Sequence, residues 1–142
     1  SSNFAILHDG DAERTEKLSE LLEWPEARRL LRVCYSGPRY DRNCGCCPKC
    51  LGTALAFRSL GREAECFWSP IGDTAIGTLL SSTGNAFRRR TQELALSEAE
   101  ARGLSGTWLE DLRRAVHRNR GRRALDRFLA ARALRRVRSE VP

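Results

Sequence analysis

Four cysteines constrain this chain more than any other feature: Cys34, Cys44, Cys47 and Cys50, spaced C-x9-C-x2-C-x2-C. Two-residue gaps let successive thiolates converge on one ion while intervening backbone N–H groups turn toward the sulfurs. Zinc prefers such a four-sulfur tetrahedron, at about 2.3 Å per bond. The surrounding residues suit a knuckle. Cys44-Gly45 and Pro48 supply turn chemistry, and a helix opening at Pro48 places Cys50 in its first turn. A helix N-terminus there favours thiolate. Cys34, at the end of a preceding strand, closes the set. Four thiolates leave no open position for water, so the metal is expected to be structural. Apparent binding energies of about 10–16 kcal/mol in small zinc domains imply that metal loss would unfold the region.

Other fates for these thiols fit less well. Disulfides need an oxidising compartment, and nothing in the chain signals secretion. An iron–sulfur cluster also takes four cysteines, but the bacterial run continues to a further Cys-Pro that is missing here. Zinc is the expected cofactor, with iron–sulfur as the alternative. Six cysteines occur in all. Cys46 competes with Cys47 as a ligand, but it would give C-x-C followed by C-x3-C. Cys66, before Phe67 and Trp68, reads as a buried apolar side chain.

Size and charge bound the function. A chain of 142 residues is one domain or two very small ones, too short for a TIM barrel or a two-lobed kinase. With 41% apolar and 30% charged residues it is globular rather than disordered. No apolar run approaches the roughly 18 residues of a membrane span, and no signal segment opens the chain, so it reads as cytoplasmic with no membrane partner. Residues 1–71 carry 10 basic and 10 acidic side chains; residues 72–142 carry 15 and 8, so the whole net charge of +7 sits in the second half. Such an excess can mark an anionic partner, and equally a GC-rich genome.

The periodicities predict a mainly α fold with one or two short strands around a four-cysteine zinc knuckle. Phe4–Leu7 reads as a strand ending in the turn residues His8 to Asp11. A helix capped by Asp11 follows, carrying Leu18, Leu21 and Leu22; Pro25 opens a second, and Leu30–Tyr35 reads as a strand broken at Ser36-Gly37-Pro38. From Pro48 a helix runs to a stop at Gly61. Trp68 to Asp73 is a boundary or a packed loop, and Thr74–Ser82 is ambiguous between strand and helix. Three helical stretches follow. One spans about 85–102; one starts at a Ser105 cap with Trp108, Leu109, Leu112, Ala115 and Val116 on one face; one spans about 122–138 with Leu125, Phe128, Leu129, Ala133, Leu134 and Val137 along one side, a stripe expected to pack, and Asn119 and Gly121 punctuate the last two. This divides the chain into a zinc-knuckle region, 1–67, and an Arg-rich helical region, 68–142.

Cys34-Tyr35-Ser36-Gly37, then Cys44-Gly45-Cys46-Cys47-Pro48-Lys49-Cys50, then Ala56-Phe57 and Gly61 resemble the C-terminal zinc segment of 7-cyano-7-deazaguanine synthases. The chain is more similar still to their relatives with an Asn-Cys-Gly-x-Cys-x-Lys-Cys-Leu motif, matched by Asn43 to Leu51. His8-Asp9-Gly10 and Arg14-Thr15-Glu16-Lys17 resemble the stretch just upstream, and the likeness covers about residues 5–62. The resemblance implies ATP pyrophosphatases of the adenine nucleotide alpha-hydrolase fold. These adenylate a carboxylate, release pyrophosphate and let ammonia or an amine attack, with a structural zinc near the active site.

The departures are as informative. The Ser-Gly-Gly-x-Asp-Ser loop that cradles phosphate in that family has no counterpart, for the chain contains no Gly-Gly pair. Ser81-Ser82-Thr83-Gly84 is a poor substitute on the wrong side of the cysteines. Gly52 and Thr53 stand where the family often has Arg. The resemblance therefore implies the remnant of an α/β ATP-pyrophosphatase fold without its nucleotide-binding part: a fragment, a split subunit or a freestanding derivative. Alone it should not hydrolyse ATP; with a nucleotide-binding partner subunit it would complete a carboxylate-activating, amide- or nitrile-forming enzyme, and ATP would bind only then.

No catalytic residue is assigned. His8, Asp9, Asp11, Glu13 and Lys17 have solvation and helix-dipole readings that suffice, and His117 reads as surface. From Arg113 to Arg138 there are eleven Arg and one acid, Asp126. Arg113, Arg114, Arg118, Arg120, Arg122 and Arg123 fall largely opposite the apolar stripe, and the few aromatics, Trp108 and Phe128, belong to it, so nucleic acid is not favoured over an acidic protein partner. A non-catalytic zinc module binding either through its basic helices is the alternative reading, and a homo-oligomer is compatible with both.

Overall fold

The computed structural model describes residues 14–35, 43–81 and 86–139. Six helices follow one another: α1 (Arg14–Leu21), α2 (Pro25–Leu30), α3 (Pro48–Ser59), α4 (Asp73–Ser81), α5 (Ala86–Ala101) and α6 (Thr107–Ser139). Among the described residues there is no strand, only an isolated parallel bridge between Asn43 and Phe67. The architecture is mainly helical, as the periodicities predict. The expected strand at Phe4–Leu7, the Asp11 cap, the Ser36-Gly37-Pro38 break and Ser82-Thr83-Gly84 lie outside the described residues.

Helix α3 is the centre. Eight of its residues are buried, from Cys50 and Leu51 to Phe57 and Ser59, and a helix apolar on nearly every side must be enclosed. One side, with Ala56 and Phe57, packs on Leu18 of α1 and on Leu60. The other, with Leu51, Ala54 and Leu55, joins Ile76, Leu79 and Leu80 of α4, Ala95 and Ala99 of α5, and Trp108, Leu109, Leu112, Ala115 and Val116 of α6. Residues on either side of position 67 thus share one core. Each fully buried large side chain, such as Phe57 or Leu112, contributes about 1.5–3 kcal/mol. The buried hydroxyls are satisfied within the helix, Thr53 donating to the Lys49 carbonyl and Ser59 to that of Ala56.

Both α3 and α5 end in the double hydrogen bond of a Schellman turn. Gly61 N–H meets Arg58 O and Arg62 N–H meets Phe57 O; Gly103 N–H meets Glu100 O and Leu104 N–H meets Ala99 O. These pairs satisfy carbonyls that a helix end would otherwise leave open.

The structure corrects the reading of residues 31–34 and of the C-terminal helices, and it resolves two stretches the sequence leaves open. Leu30 closes α2, and residues 31–34 form no strand: the side chain of Asn43 takes the backbone groups that a neighbouring strand would pair. The 74–82 ambiguity resolves as α4, with Ile76, Leu79 and Leu80 buried on one face. The stretch from Trp68 to Asp73 packs as a loop, Ile71 inserting into the core. Lastly, the two expected C-terminal helices are one, and Leu125, Phe128 and Leu129 of the expected packing stripe are exposed. A glycine inside a helix costs only about 1 kcal/mol, and Asn119, rather than breaking the helix, donates from Nδ2 to Oε1 of the buried Gln92 at 2.8 Å. That helix starts after Gly106, whose carbonyl accepts from Leu109 and Glu110, rather than at a Ser105 cap.

Long-range polar contacts clamp the helix ends. Arg118 Nη2 donates to the Leu80 carbonyl at the end of α4, at 3.0 Å. Arg58, near the end of α3, donates to the Ile71 carbonyl and pairs with Asp73 at the start of α4. Its Nε lies 3.2 Å from Glu63 Oε1. Asp73 also accepts from the Thr107 hydroxyl, so one carboxylate joins α3, α4 and α6. The Thr107 hydroxyl first, and the Arg58 guanidinium second, hold the Asp73 carboxyl below its ordinary 3.8. A depressed folded-state value stabilises the fold above the unfolded value and loses that effect as pH falls through the folded one. Asp73→Asn is expected to cost about 1 kcal/mol near neutrality, modest because the carboxylate is partly exposed. In denaturant melts across pH, the gap between Asp73→Asn and the unaltered protein should narrow once the pH drops below 3.8.

Candidate metal centre

The N-terminus of α3 and the segments before it bring together Cys34, Cys44, Cys47 and Cys50, all four sulfurs lying within 4.8 Å of one another. Cys50 Sγ is 3.7 Å from Cys44 Sγ and 3.6 Å from Cys47 Sγ. A tetrahedron with metal–sulfur bonds of about 2.3 Å has its sulfurs about 3.8 Å apart, so the spacing suits four ligands around a single ion. Cys34 and Cys50 are buried, and Cys44 and Cys47 half-buried. These four residues could hold a metal ion.

Local geometry explains the convergence. Pro48 occupies the first turn of α3, where its missing N–H costs nothing. The extended backbone of Cys47, at φ −75° and ψ 161°, turns the chain into the helix that carries Cys50. Gly45, at φ +72°, makes the tight bend between Cys44 and Cys47, in a region L side chains rarely adopt. Backbone N–H groups then point at sulfur: that of Cys44 donates to Cys34 Sγ and that of Cys47 to Cys44 Sγ, both at 3.3 Å.

Electrostatics divide the four. Backbone N–H donation, chiefly from Cys46 and then from Cys47, opposes burial and brings the Cys44 thiol down to about 6. Burial pushes the Cys50 thiol far up. Cys44 is thus prepared as a thiolate, whereas Cys50 would ionise in response to a cation, whose charge reverses the local preference.

The fourth corner depends on Asn43. Its Oδ1 accepts from the N–H of Val33 at 2.9 Å and of Cys34 at 3.4 Å, while Nδ2 donates to the Leu31 carbonyl at 2.7 Å and the Cys66 carbonyl at 3.0 Å. One buried amide therefore fixes residues 31–34 against both the knuckle and the 66–67 segment. In the sequence, Asn43 is only the first letter of a motif. Its partners stand at no regular spacing, so nothing local betrays the role.

The remaining candidates lie elsewhere. Cys46 is exposed and outside the quartet. With Gly45, Phe67, Trp68 and Pro70 it lines a cleft of about 230 Å³. Cys66 is half-buried rather than buried, and burial raises its thiol. Lys17 and His117 are both on exposed helix faces. His8, Asp9, Asp11 and Glu13 lie outside the described residues. Among the described residues no helix is long and apolar enough to cross a membrane.

Asn43→Ala should destabilise the protein by about 3 kcal/mol, because several buried backbone groups lose their partner together. Asn43→Asp, which keeps the acceptor and loses both donors, should be about as damaging by the same reasoning. Equilibrium denaturation of the two variants checks this, and near-wild-type stability of Asn43→Asp would locate the effect in the acceptor alone. No family model, no curated protein and no solved structure matches the chain.

Proposed function

We propose that Cys34, Cys44, Cys47 and Cys50 bind one zinc ion as a closed structural centre. On this reading the chain is the zinc-stabilised C-terminal module of a protein similar to the 7-cyano-7-deazaguanine synthase group. The observation that carries the proposal is the approach of the four sulfurs to within 4.8 Å, in the same residues that carry the resemblance. That closeness favours a single ion over a four-iron cluster, which interposes its own iron and sulfide between the cysteines. Thiolate ligands in tetrahedral array suit zinc.

Such a centre supplies no open coordination position, so its work is mechanical. It would tie the 31–34 segment to the knuckle and both to the first turn of α3. The chain lacks a glycine-rich phosphate loop of the Ser-Gly-Gly-x-Asp-Ser kind, and by itself it is not expected to hydrolyse ATP. A separate nucleotide-binding subunit would bring the ATP and the carboxylate chemistry, and this module would complete the amide- or nitrile-forming enzyme.

Elemental analysis of the purified protein should return about one zinc per chain. Cys34→Ser and Cys47→Ser should each lose most of it and melt at lower temperature. Unchanged zinc and unchanged melting in both variants would defeat the metal reading, and a visible iron–thiolate absorption would replace zinc with iron. ATP–pyrophosphate exchange should be absent for the chain alone and appear on adding a nucleotide-binding subunit that contains the missing loop.

A further inference from the structure

The long helix α6 outruns the core it belongs to. Trp108, Leu109, Leu112, Ala115 and Val116 are buried, but every residue from 120 to 129 is exposed. At 1.5 Å per residue, this is about 15 Å of helix outside the core, its start held to α5 by Arg123, whose Nη1 lies 3.3 Å from Glu93 Oε1. Within it Leu125, Phe128 and Leu129 are 56%, 62% and 51% exposed. Their i, i+3, i+4 spacing makes them one patch. Leu125 comes about two and a half turns after Val116, so the patch points away from the stripe that packs on α4 and α5. Isolated helices of this size are marginal in water, and a contiguous patch of large apolar side chains marks a contact surface.

The charge around the patch limits its occupant. Residues 120–129 carry Arg120, Arg122, Arg123 and Arg127 against Asp126. A nucleic acid would use the arginines but has no use for the leucines. A surface that answers both features occurs on the chain itself, at the corner between α1 and α2. Glu20, Glu23 and Glu26 are exposed there, beside Trp24 and Leu30 at 58% and 76% exposure. Residues 16–26 hold four Glu and one Lys. Arg28, the nearest half-buried cation, is engaged by Glu65 at 3.0 Å, and Arg29 lies 3.7 Å from Glu26.

We infer that the protein forms a two-fold dimer in which the outer part of α6 from each copy lies on the acidic, apolar α1–α2 corner of the other. The arrangement is isologous, so the same contact forms twice and closes. It is independent of metal identity and of any ATP chemistry.

Light scattering after size exclusion tests this on the zinc-loaded full chain. The unaltered protein should have twice the 16.0 kDa mass of one chain, dissociating as salt is raised. Leu125→Ser/Phe128→Ser should run as a monomer with unchanged zinc content and a nearly unchanged helical spectrum, since both side chains are exposed. The decisive arm is charge exchange. Arg122→Glu/Arg127→Glu and Glu20→Arg/Glu23→Arg should each be monomeric, and an equimolar mixture should regain dimer mass, because one contact of the mixed pair then joins two altered, complementary surfaces and the other joins two unaltered ones. A 16.0 kDa species for the unaltered protein, a dimer indifferent to these variants, or a mixture that stays monomeric would overturn the inference. Salt-dependent retention of a monomeric chain on a duplex or single-stranded oligonucleotide, lost in Arg122→Glu/Arg127→Glu, would also overturn it and assign the arm to nucleic acid.

Discussion

The enclosure of α3 is the constraint on which the other features rest. A twelve-residue helix with eight buried positions has no face to give to solvent, so neighbours must cover it on both sides. Its two ends must then be satisfied inside or near the core. At the N-terminus the chain uses sulfur, with Cys50 buried in the first turn and three more cysteines brought up to it. At the C-terminus it uses a guanidinium and a Schellman turn, Arg58 reaching Ile71 and Asp73 while Gly61 and Arg62 close the last carbonyls.

This arrangement explains how four sulfurs reach a spacing that could hold a metal ion. Gathering two buried and two half-buried thiols at a helix start is tolerable for neutral side chains, yet the backbone N–H groups of the knuckle already favour charge on Cys44. Burial resists charge on Cys50. A divalent cation reconciles the two by making thiolate the favoured state at every corner. The binding energy would then go into holding segments that share few apolar contacts: residues 31–34 and the knuckle contribute only Cys34 and Asn43 to the buried set before α3 begins.

The second theme is substitution of side chains for backbone partners. Asn43 does for residues 31–34 what a β-strand would do, and Arg118 does for the end of α4 what a capping turn would do. Such bonds demand close placement of one side chain and give no periodic signal. That is why Leu30–Tyr35 reads as a strand from its apolar content with Val33 inside, although the Val33 and Cys34 N–H groups and the Leu31 carbonyl end on one amide. The same reason hides Arg58: a lone arginine in an apolar helix looks like a solvent contact until Asp73 and Thr107 arrive from fifteen and forty-nine residues away in sequence.

Short-range physics was open to reading in the residues alone. Cysteine spacing, proline at the starts of α2 and α3, glycine at the end of α3, and the apolar stripe in the first part of α6 all depend on neighbours a few positions apart, so they delimited a mainly helical chain with a four-sulfur site. Tertiary structure decided the rest. Whether residues 31–34 pair as a strand and which leucines stay uncovered depend on which segments meet, and whether Gly121 interrupts a helix turns on a local cost of only about 1 kcal/mol. Contacts from distant segments outweigh that cost, and the residue order does not disclose which segments will meet.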